Sequence, residues 1–421
     1  MSKKTKIHPL ARSHEELVAL IHHRRQSGKV WQLAFYIATG IAILSLIVLL
    51  LNIFNGAFGF VLVQNEVEPT ELVASGDLRE LDRGGLISII EEYESAGVVR
   101  RFNSEKPLVD RTETELIKLV EERIVKPTII RAWSLQDSLF GQDEIRALAA
   151  ESEQTSLTFR SWISWEFLMS PQNPSPQFAG VRTALLGSLW MILIVMVFAF
   201  PLGVAAAIYL EEYAGKKTWY NRLIEINIYN LAGIPSIIYG LLGLALLVRG
   251  LAPFTSGAMF DPNPNETNNG RTIISAGLTL ALLILPIIII NSREALKAIP
   301  GSLRESSYAL GATKWQTVWH HVLPASFDRI LTGTILAISR AVGETAPLVV
   351  VGASTFITAD PTSIFSKFTT LPIQIYQWSA RPQSQFRNIA AGAIIVLLVL
   401  MLTMNAFAII MRNRIAKERR V

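Results

Sequence analysis

The 421-residue chain is half hydrophobic and only 17% charged, well below the roughly 25% of a soluble globular chain, and its mean hydropathy is +0.36. It is composed as a membrane protein. The net charge of +5 sits mostly beside apolar runs and carries no interleaved aromatic pattern, which excludes a nucleic-acid footprint. The absence of cysteine excludes disulfides, thiolate metal sites and cysteine nucleophiles.

In chain order, Lys3, Lys4, Lys6, Arg12, Arg24, Arg25 and Lys29 precede a first apolar run at 32–54. With about thirty polar residues ahead of it and no small-residue cleavage site, this run is expected to stay as a membrane helix rather than be removed as a signal peptide. Further runs follow near 183–208, 228–250, 273–291, 329–354 and 387–411, each long enough to cross about 30 Å of hydrocarbon as a helix. Six spans put both termini on one side. Lys216, Lys217, Arg222, Arg293, Lys297, Arg304 and Lys314 fall on that side, with Arg412, Arg414, Lys417, Arg419 and Arg420 after the last run. The short loops opposite carry little beyond Arg271, Lys367 and Arg381. The positive-inside rule then makes both ends cytoplasmic.

Residues 61–182 interrupt the apolar pattern and are expected to form a small domain on the outer side. They hold 21 Asp and Glu against 13 Lys and Arg, a net acidity of 8, and so should repel free anions. TELIKLVEERIV (114–125) spaces Leu116, Ile117, Val120 and Ile124 as one helix face, LISIIEEY (86–93) reads as a shorter helix, and GVVRRF (97–102) as a short strand. SPQNPSPQ (170–177) is a turn-rich linker into the second span. The loop DPNPNETNNG (261–270) is turn chemistry throughout and contains the glycosylation sequon Asn265-Glu266-Thr267.

Residues 305–324, ESSYALGATKWQTVWHHVLP, form a polar, punctuated segment between two apolar runs. Ser302 and Glu305 have capping-box spacing, Gly311 supplies a left-handed residue that ends a helix, Thr313 caps the next, and Pro324 is expected to stop it. Such a segment is either an ordinary loop or a surface built to be held by another protein. The adjacent pairs His22-His23 and His320-His321 cannot share one helix face, which argues against a metal site.

The fifth run contains ILAISRAVGETAPLVVVGA (335–353), with Arg340 and Glu344 near its middle. An arginine at that depth costs about 2.5–3.5 kcal/mol on insertion scales and normally faces a protein interior or a watery path. Four residues apart, the two share a helix face. The guanidinium fork suits a tetrahedral oxyanion, so the pair is either a substrate contact or an interhelical salt bridge that fixes packing. Thr345 and Pro347 beside it loosen the helix and free a hydroxyl and carbonyls. Pro201, Pro235 and Pro286 interrupt other spans, and GIPSIIYG (233–240) supplies small residues for close helix approach. The sequence has no G-x-x-x-x-G-K-[ST] phosphate cradle, so ATP-driven transport would need an ATPase on another polypeptide.

Residues 305–324 resemble the EAA motif of ABC importer permeases. Glu305, Gly311, Leu323 and Pro324 stand at the motif spacing, Ser306 and Ser307 replace its two alanines, and His321 replaces its isoleucine. GIPSIIYGLLG (233–243) and AISRAVGETAPL (337–348) are similar to the phosphate permeases, the latter most to the PstA type, and the resemblance covers roughly residues 180–415. It implies an all-α polytopic membrane protein with six transmembrane helices of the type I ABC importer (MetI-like) fold, plus a small, mainly helical periplasmic insertion.

The domains expected from it are residues 1–60 (cytoplasmic N-terminus and first span), 61–182 (acidic periplasmic insertion and linker), 183–415 (permease core with a coupling helix at 302–324) and 416–421 (basic cytoplasmic tail). The resemblance further implies import of inorganic phosphate across a bacterial inner membrane by alternating access. A PstC-like permease, a PstB-like ATPase dimer and a periplasmic phosphate-binding protein would be partners alongside membrane lipid. The chain would bind no cofactor, ATP and Mg residing on the ATPase. Glu305, Ser306, Ser307, Gly311, Leu323 and Pro324 would couple to that ATPase, and Arg340, Glu344 and Thr345 would line the substrate pathway. A permease for sulfate or molybdate, or an ion-coupled secondary carrier, are the other readings of the sequence.

Overall fold

The computed structural model describes residues 14–73, 77–150, 155–215, 218–260, 269–354 and 356–418. The sequon at 265–267 and several of the basic residues named above (Lys3, Lys4, Lys6, Arg12, Lys216, Lys217, Arg419 and Arg420) lie outside them. The chain forms two units, residues up to Asn55 and residues from Gly56. The first consists of most of helix α1 (His14–Ala57), which is apolar on every side from Val30 onward, with large exposed side chains such as Trp31, Phe35, Leu44 and Leu51.

In the second unit β1 (Phe58–Gln64) leads into a polar module, which contains α2 (Arg83–Tyr93), α3 (Ala96–Glu105), α4 (Glu113–Val120), β2 (Thr128–Ala132) and β3 (Thr155–Ser161). The helices at 86–93 and 114–120 occur where the periodicity put them. The stretch 97–102 is helix and not strand. Val98, Val99 and Phe102 recur at helical spacing, and all three pack on the core of Leu86, Ile90, Leu116 and Val120, so burial of that face overrides the β-branched pair. The strands form an antiparallel sheet of order β2-β1-β3, with a register shift between Leu62 and Val63.

The permease-like part contains α5 (Arg182–Ile208), α6 (Trp219–Ala232), α7 (Ser236–Gly243), α8 (Ile273–Lys297), α9 (Gly301–Ala309), α10 (Leu323–Gly343), α11 (Ala346–Val351), α12 (Leu371–Ser379) and α13 (Ser384–Glu418). Among the described residues, five stretches are long and apolar enough to cross a membrane: Arg24–Ala57, Arg182–Tyr213, Ile273–Lys297, Lys314–Gly343 and Ser384–Arg414. The expected third span, 228–250, is not a straight helix, because its two halves meet at 104° and make a sixth crossing only if counted together. Gly233 closes α6 and Pro235 is extended (ψ 137°) ahead of α7. Proline disfavours a helical residue before it, which fixes the break at 233–235.

The most buried apolar helix is α8, with 67% of its most apolar stretch inside. Its Leu280, Ile284 and Ile288 share a core with Met191 and Val195 of α5 and with Ala337 and Ala341 of α10. The polar module is seated on the other end of this bundle. Val61, Ile129, Trp162 and Phe167 pack with Leu371 and Trp378 of α12 and Phe386 and Ile389 of α13. The Gln385 amide donates to the Ile129 carbonyl at 2.9 Å, and Arg182 pairs with Asp360 at 2.8 Å. The 170–177 segment is likewise docked, with the buried Gln172 side chain accepting from the Ile357 N–H at 2.9 Å.

Close approach of α7 to α11 depends on Gly240, where a Cβ would lie 2.7 Å from Pro347 Cα and 2.9 Å from its carbonyl oxygen. Gly240→Ala should therefore overpack this contact and destabilise the core by about 1–3 kcal/mol. A lowered midpoint of thermal unfolding is the expected outcome, and an unchanged midpoint would show that the two helices part without cost.

Candidate functional site

The polar segment after α8 folds into two short helical pieces around one bend. Pro300 is extended (ψ 138°) and α9 starts at Gly301. Ser302 is therefore already inside the first turn and does not cap it, because an N-cap needs non-helical backbone. Gly311 turns the chain with φ +83°, a conformation costly for any residue with a Cβ. Thr313 then starts the helix Lys314–Thr317 with a capping box. Its Oγ1 accepts from the Gln316 N–H at 3.4 Å, and Gln316 Oε1 accepts from the Thr313 N–H at 2.8 Å.

Pro324 does not stop this second helix. The turns over Val318–Val322 widen to π geometry and lead straight into α10, giving one helical run from Lys314 to Gly343. Proline removes an i→i−4 hydrogen bond and clashes with that carbonyl in a regular helix, whereas a π turn changes the bonding partners and lets the run continue.

Of the six coupling candidates, Glu305, Ser306 and Gly311 are exposed, Ser307 is buried, and Leu323 and Pro324 are half-buried. Ser307 and Thr317 hydroxyls meet at 2.8 Å and Thr317 also donates to the Thr313 carbonyl at 3.1 Å. The serine that replaces an alanine of the motif thus ties the two helical pieces together. Leu323 packs toward Leu296, Val322 and Ile330. The bend presents an apolar tip: Leu310 is 89% exposed and Trp315 is 58% exposed, with Trp315 stacked on Trp319 at 5.4 Å.

A guanidinium holds this segment to the spans. Arg304 Nε and Nη2 donate to Glu212 Oε1 at 3.1 and 2.6 Å, Nε reaches Oε2 at 3.2 Å, Nη1 donates to the Ile299 carbonyl at 2.8 Å and Nη2 to the Leu296 carbonyl at 3.0 Å. Glu212 lies in the π turn Tyr209–Tyr213 that ends the α5 span, and its side chain is 5% exposed. Next to it Arg293 of α8 pairs with Glu211 at 3.1 Å and with Glu225 of α6 at 2.6 Å. In the sequence these residues read only as loop charges or as the polar end of a span. The adjacent carboxylates Glu211-Glu212 closing an apolar run were the available signal.

At the far end of the same helical run, α10 stops at Gly343 and Glu344 is extended (ψ 128°). Arg340 and Glu344 therefore stand at a helix break, not in mid-helix. They still pair, Nε donating to Oε1 at 3.3 Å, with Arg340 half-exposed and Glu344 largely buried. Thr345 opens α11, its carbonyl accepting from the Val349 N–H at 3.1 Å. The structure thus brings together two stretches that the sequence singled out separately, since Gly240 touches Pro347 just after Thr345. The coupling candidates are not part of that site: Glu305, Ser306, Ser307 and Gly311 precede a helical run of 30 residues, about 45 Å at 1.5 Å per residue, from Lys314 to Gly343, and Leu323 and Pro324 lie within that run, about 24 Å from Arg340 at the same rise. Among the described residues no group of His, Asp and Glu side chains is placed to hold a metal ion.

Removing one partner of a buried pair leaves an uncompensated charge and costs about 3–5 kcal/mol. Glu212→Gln should therefore lower the unfolding midpoint and speed proteolytic cleavage within 300–313; wild-type cleavage kinetics would show that Arg304 does not restrain this segment.

Residues 199–421 match the family described as binding-protein-dependent transport system inner membrane component. The Bacillus subtilis protein named "Probable ABC transporter permease protein YqgH" is 35% identical over 211 residues, 49% of this chain and 64% of that protein. Phosphate transport system permease protein PstA of Yersinia pestis is 33% identical over 243 residues, 57% of this chain and 76% of the relative. The corresponding figures for PstA 1 of Mycobacterium tuberculosis strain H37Rv are 34% over 247 residues, 58% and 74%.

Proposed function

Because the chain belongs to the family of inner membrane components of binding-protein-dependent transport systems, we propose that this ABC importer permease subunit conducts inorganic phosphate by alternating access. The observation that carries the reading is the single helical run Lys314–Gly343. It joins an exposed apolar tip at one end to a half-exposed arginine at a helix break at the other. A rigid element of this kind transmits displacement from a docked partner to a site in the membrane.

The docked partner is a PstB-like ATPase dimer, which binds ATP and Mg and hydrolyses the nucleotide. Leu310, Trp315 and Trp319 seat the tip in its groove, Glu305 and Ser306 make polar contacts at the rim, and Ser307, Gly311, Leu323 and Pro324 fix the bend. A PstC-like permease completes the path, and a periplasmic phosphate-binding protein delivers the substrate. Both termini are cytoplasmic, and the acidic module that follows α1 faces the periplasm, where it meets the binding protein or the second permease.

At the break, the Arg340 fork takes two phosphate oxygens, and Glu344 orients the guanidinium while the site is empty. Unwound backbone at membrane depth is tolerated where it lines a cavity, and Thr345 supplies a hydroxyl there. Relatives named as phosphate permeases support phosphate as the anion.

Arg340→Gln should assemble normally and abolish uptake of labelled phosphate into proteoliposomes holding the full transporter; near-wild-type uptake would return the Arg340–Glu344 pair to a packing role. Glu305→Lys should reduce co-purification of the ATPase and lower transport-coupled ATP hydrolysis, with unchanged recovery of the complex counting against the docking assignment.

A further inference from the structure

Beside the Arg304–Glu212 clamp lies a cavity of about 440 Å³ lined by Glu211, Asn221, Arg222, Glu225, Arg293 and Lys297. Its charges are unevenly matched. Both carboxylates are engaged by Arg293, at 3.1 and 2.6 Å. Arg222 and Lys297 are exposed and, among the described residues, their side chains have neither a carboxylate nor a hydrogen-bond partner. The lining thus carries three cations, Arg222, Arg293 and Lys297, against two carboxylates, a net charge of +1, and Arg222 and Lys297 are the two cations not bound to a carboxylate.

The backbone adds to this bias. The 14-residue helix α6 starts at the cavity without a side-chain cap on its first N–H groups and without an acidic residue in its first turn. Thr218, its N-cap residue, donates its hydroxyl to the Gly215 carbonyl at 2.6 Å instead. Such an end favours an anion through its free N–H groups and the helix dipole. Asn221 is 7% exposed, its Nδ2 donates to Gly215 and Thr218, and its Oδ1 has no hydrogen-bond partner. The buried amide thereby fixes the Gly215–Thr218 turn from which α6 starts. Trp219 and Tyr220, on the first turn of α6, are 76% and 47% exposed, and such amphipathic rings settle at headgroup level.

We propose that this cavity is a binding site for a phosphate-bearing anion, held by Arg222, Lys297 and the start of α6, whose source is the headgroup of an anionic lipid or free orthophosphate. Basic pockets between membrane helices on the cytoplasmic side bind such headgroups. Occupancy would bridge the start of α6 to the end of α8 next to the clamp. Placement on the cytoplasmic side rests on the topology proposed above; the binding itself does not.

The test uses the full transporter in nanodiscs, carrying Arg340→Gln to silence the proposed substrate path. Phosphatidylglycerol retained by the complex is counted by native mass spectrometry from phosphatidylcholine–phosphatidylglycerol discs, and labelled orthophosphate binding is measured in phosphatidylcholine discs. Adding Arg222→Gln and Lys297→Gln together should weaken the bound species by at least about ten-fold, since each cation near the surface contributes about 1 kcal/mol, while Arg222→Lys with Lys297→Arg should keep it. Loss confined to phosphatidylglycerol identifies a lipid site and loss confined to orthophosphate a product site, and either supports the proposal. Binding of both probes unaffected by the double glutamine variant, or no binding before those substitutions, would overturn it, and neither outcome depends on whether Arg340 conducts phosphate.

Discussion

The guanidinium of Arg304 ties the ends of two spans to the segment that carries it, and the mechanical sense of the structure depends on it. Its donors satisfy the buried carboxylate of Glu212 at the end of the α5 span and two carbonyls, Leu296 in the last turn of α8 and Ile299 just beyond it. Terminal helix carbonyls have no partner within their own helix, and a planar five-donor fork is the side chain able to collect several of them together with a carboxylate. Lysine in this place would offer a point charge without the fork. The polar segment that starts with α9 is thereby held to two spans by side-chain bonds as well as by the peptide chain through Pro300.

A second constraint acts at the opposite end of the Lys314–Gly343 run. Backbone polar groups within a bilayer must find partners inside the protein, so a helix can break only where other elements enclose the break. Two breaks, at 233–235 and at 344–345, lie on elements packed against each other through Gly240 and Pro347. The Tyr239 hydroxyl donates to the Leu231 carbonyl at 2.9 Å, adding to the Ile234 N–H that the same carbonyl accepts at 3.1 Å and tying α7 to the end of α6. Arg340 and Glu344 occupy the second break, with the guanidinium half-exposed and the carboxylate largely buried.

Much of this was legible in the chain because apolar periodicity and turn chemistry are local. The spans, the left-handed Gly311 and the Thr313 cap all follow from a few adjacent residues. The sheet was missed because FGFVLVQ (58–64) follows the apolar run at 32–54 after only Asn55, Gly56 and Ala57, and a short apolar stretch does not distinguish strand from buried helix. GVVRRF suggested a strand from its β-branched pair, while Phe102, four residues beyond Val98, turns the segment into a helix face once Leu116 and Val120 are there to cover it. Ser302 lost its capping role because Pro300 starts α9 first, and Pro324 failed to stop its helix because a π turn precedes it. The pairing of Glu212 with Arg304 bridges 92 positions in sequence, and no local rule brings such residues together.

In the proposed transport cycle, force applied at the exposed tip reaches the Arg340 end through the clamped segment. A charge exchange across the clamp tests it most directly: phosphate moved per ATP hydrolysed, measured in proteoliposomes for Arg304→Glu, Glu212→Arg and the two together. The account predicts that each single exchange uncouples hydrolysis from transport and that the reversed pair recovers a substantial part of the wild-type ratio. Single exchanges that leave the ratio at its wild-type value would contradict it.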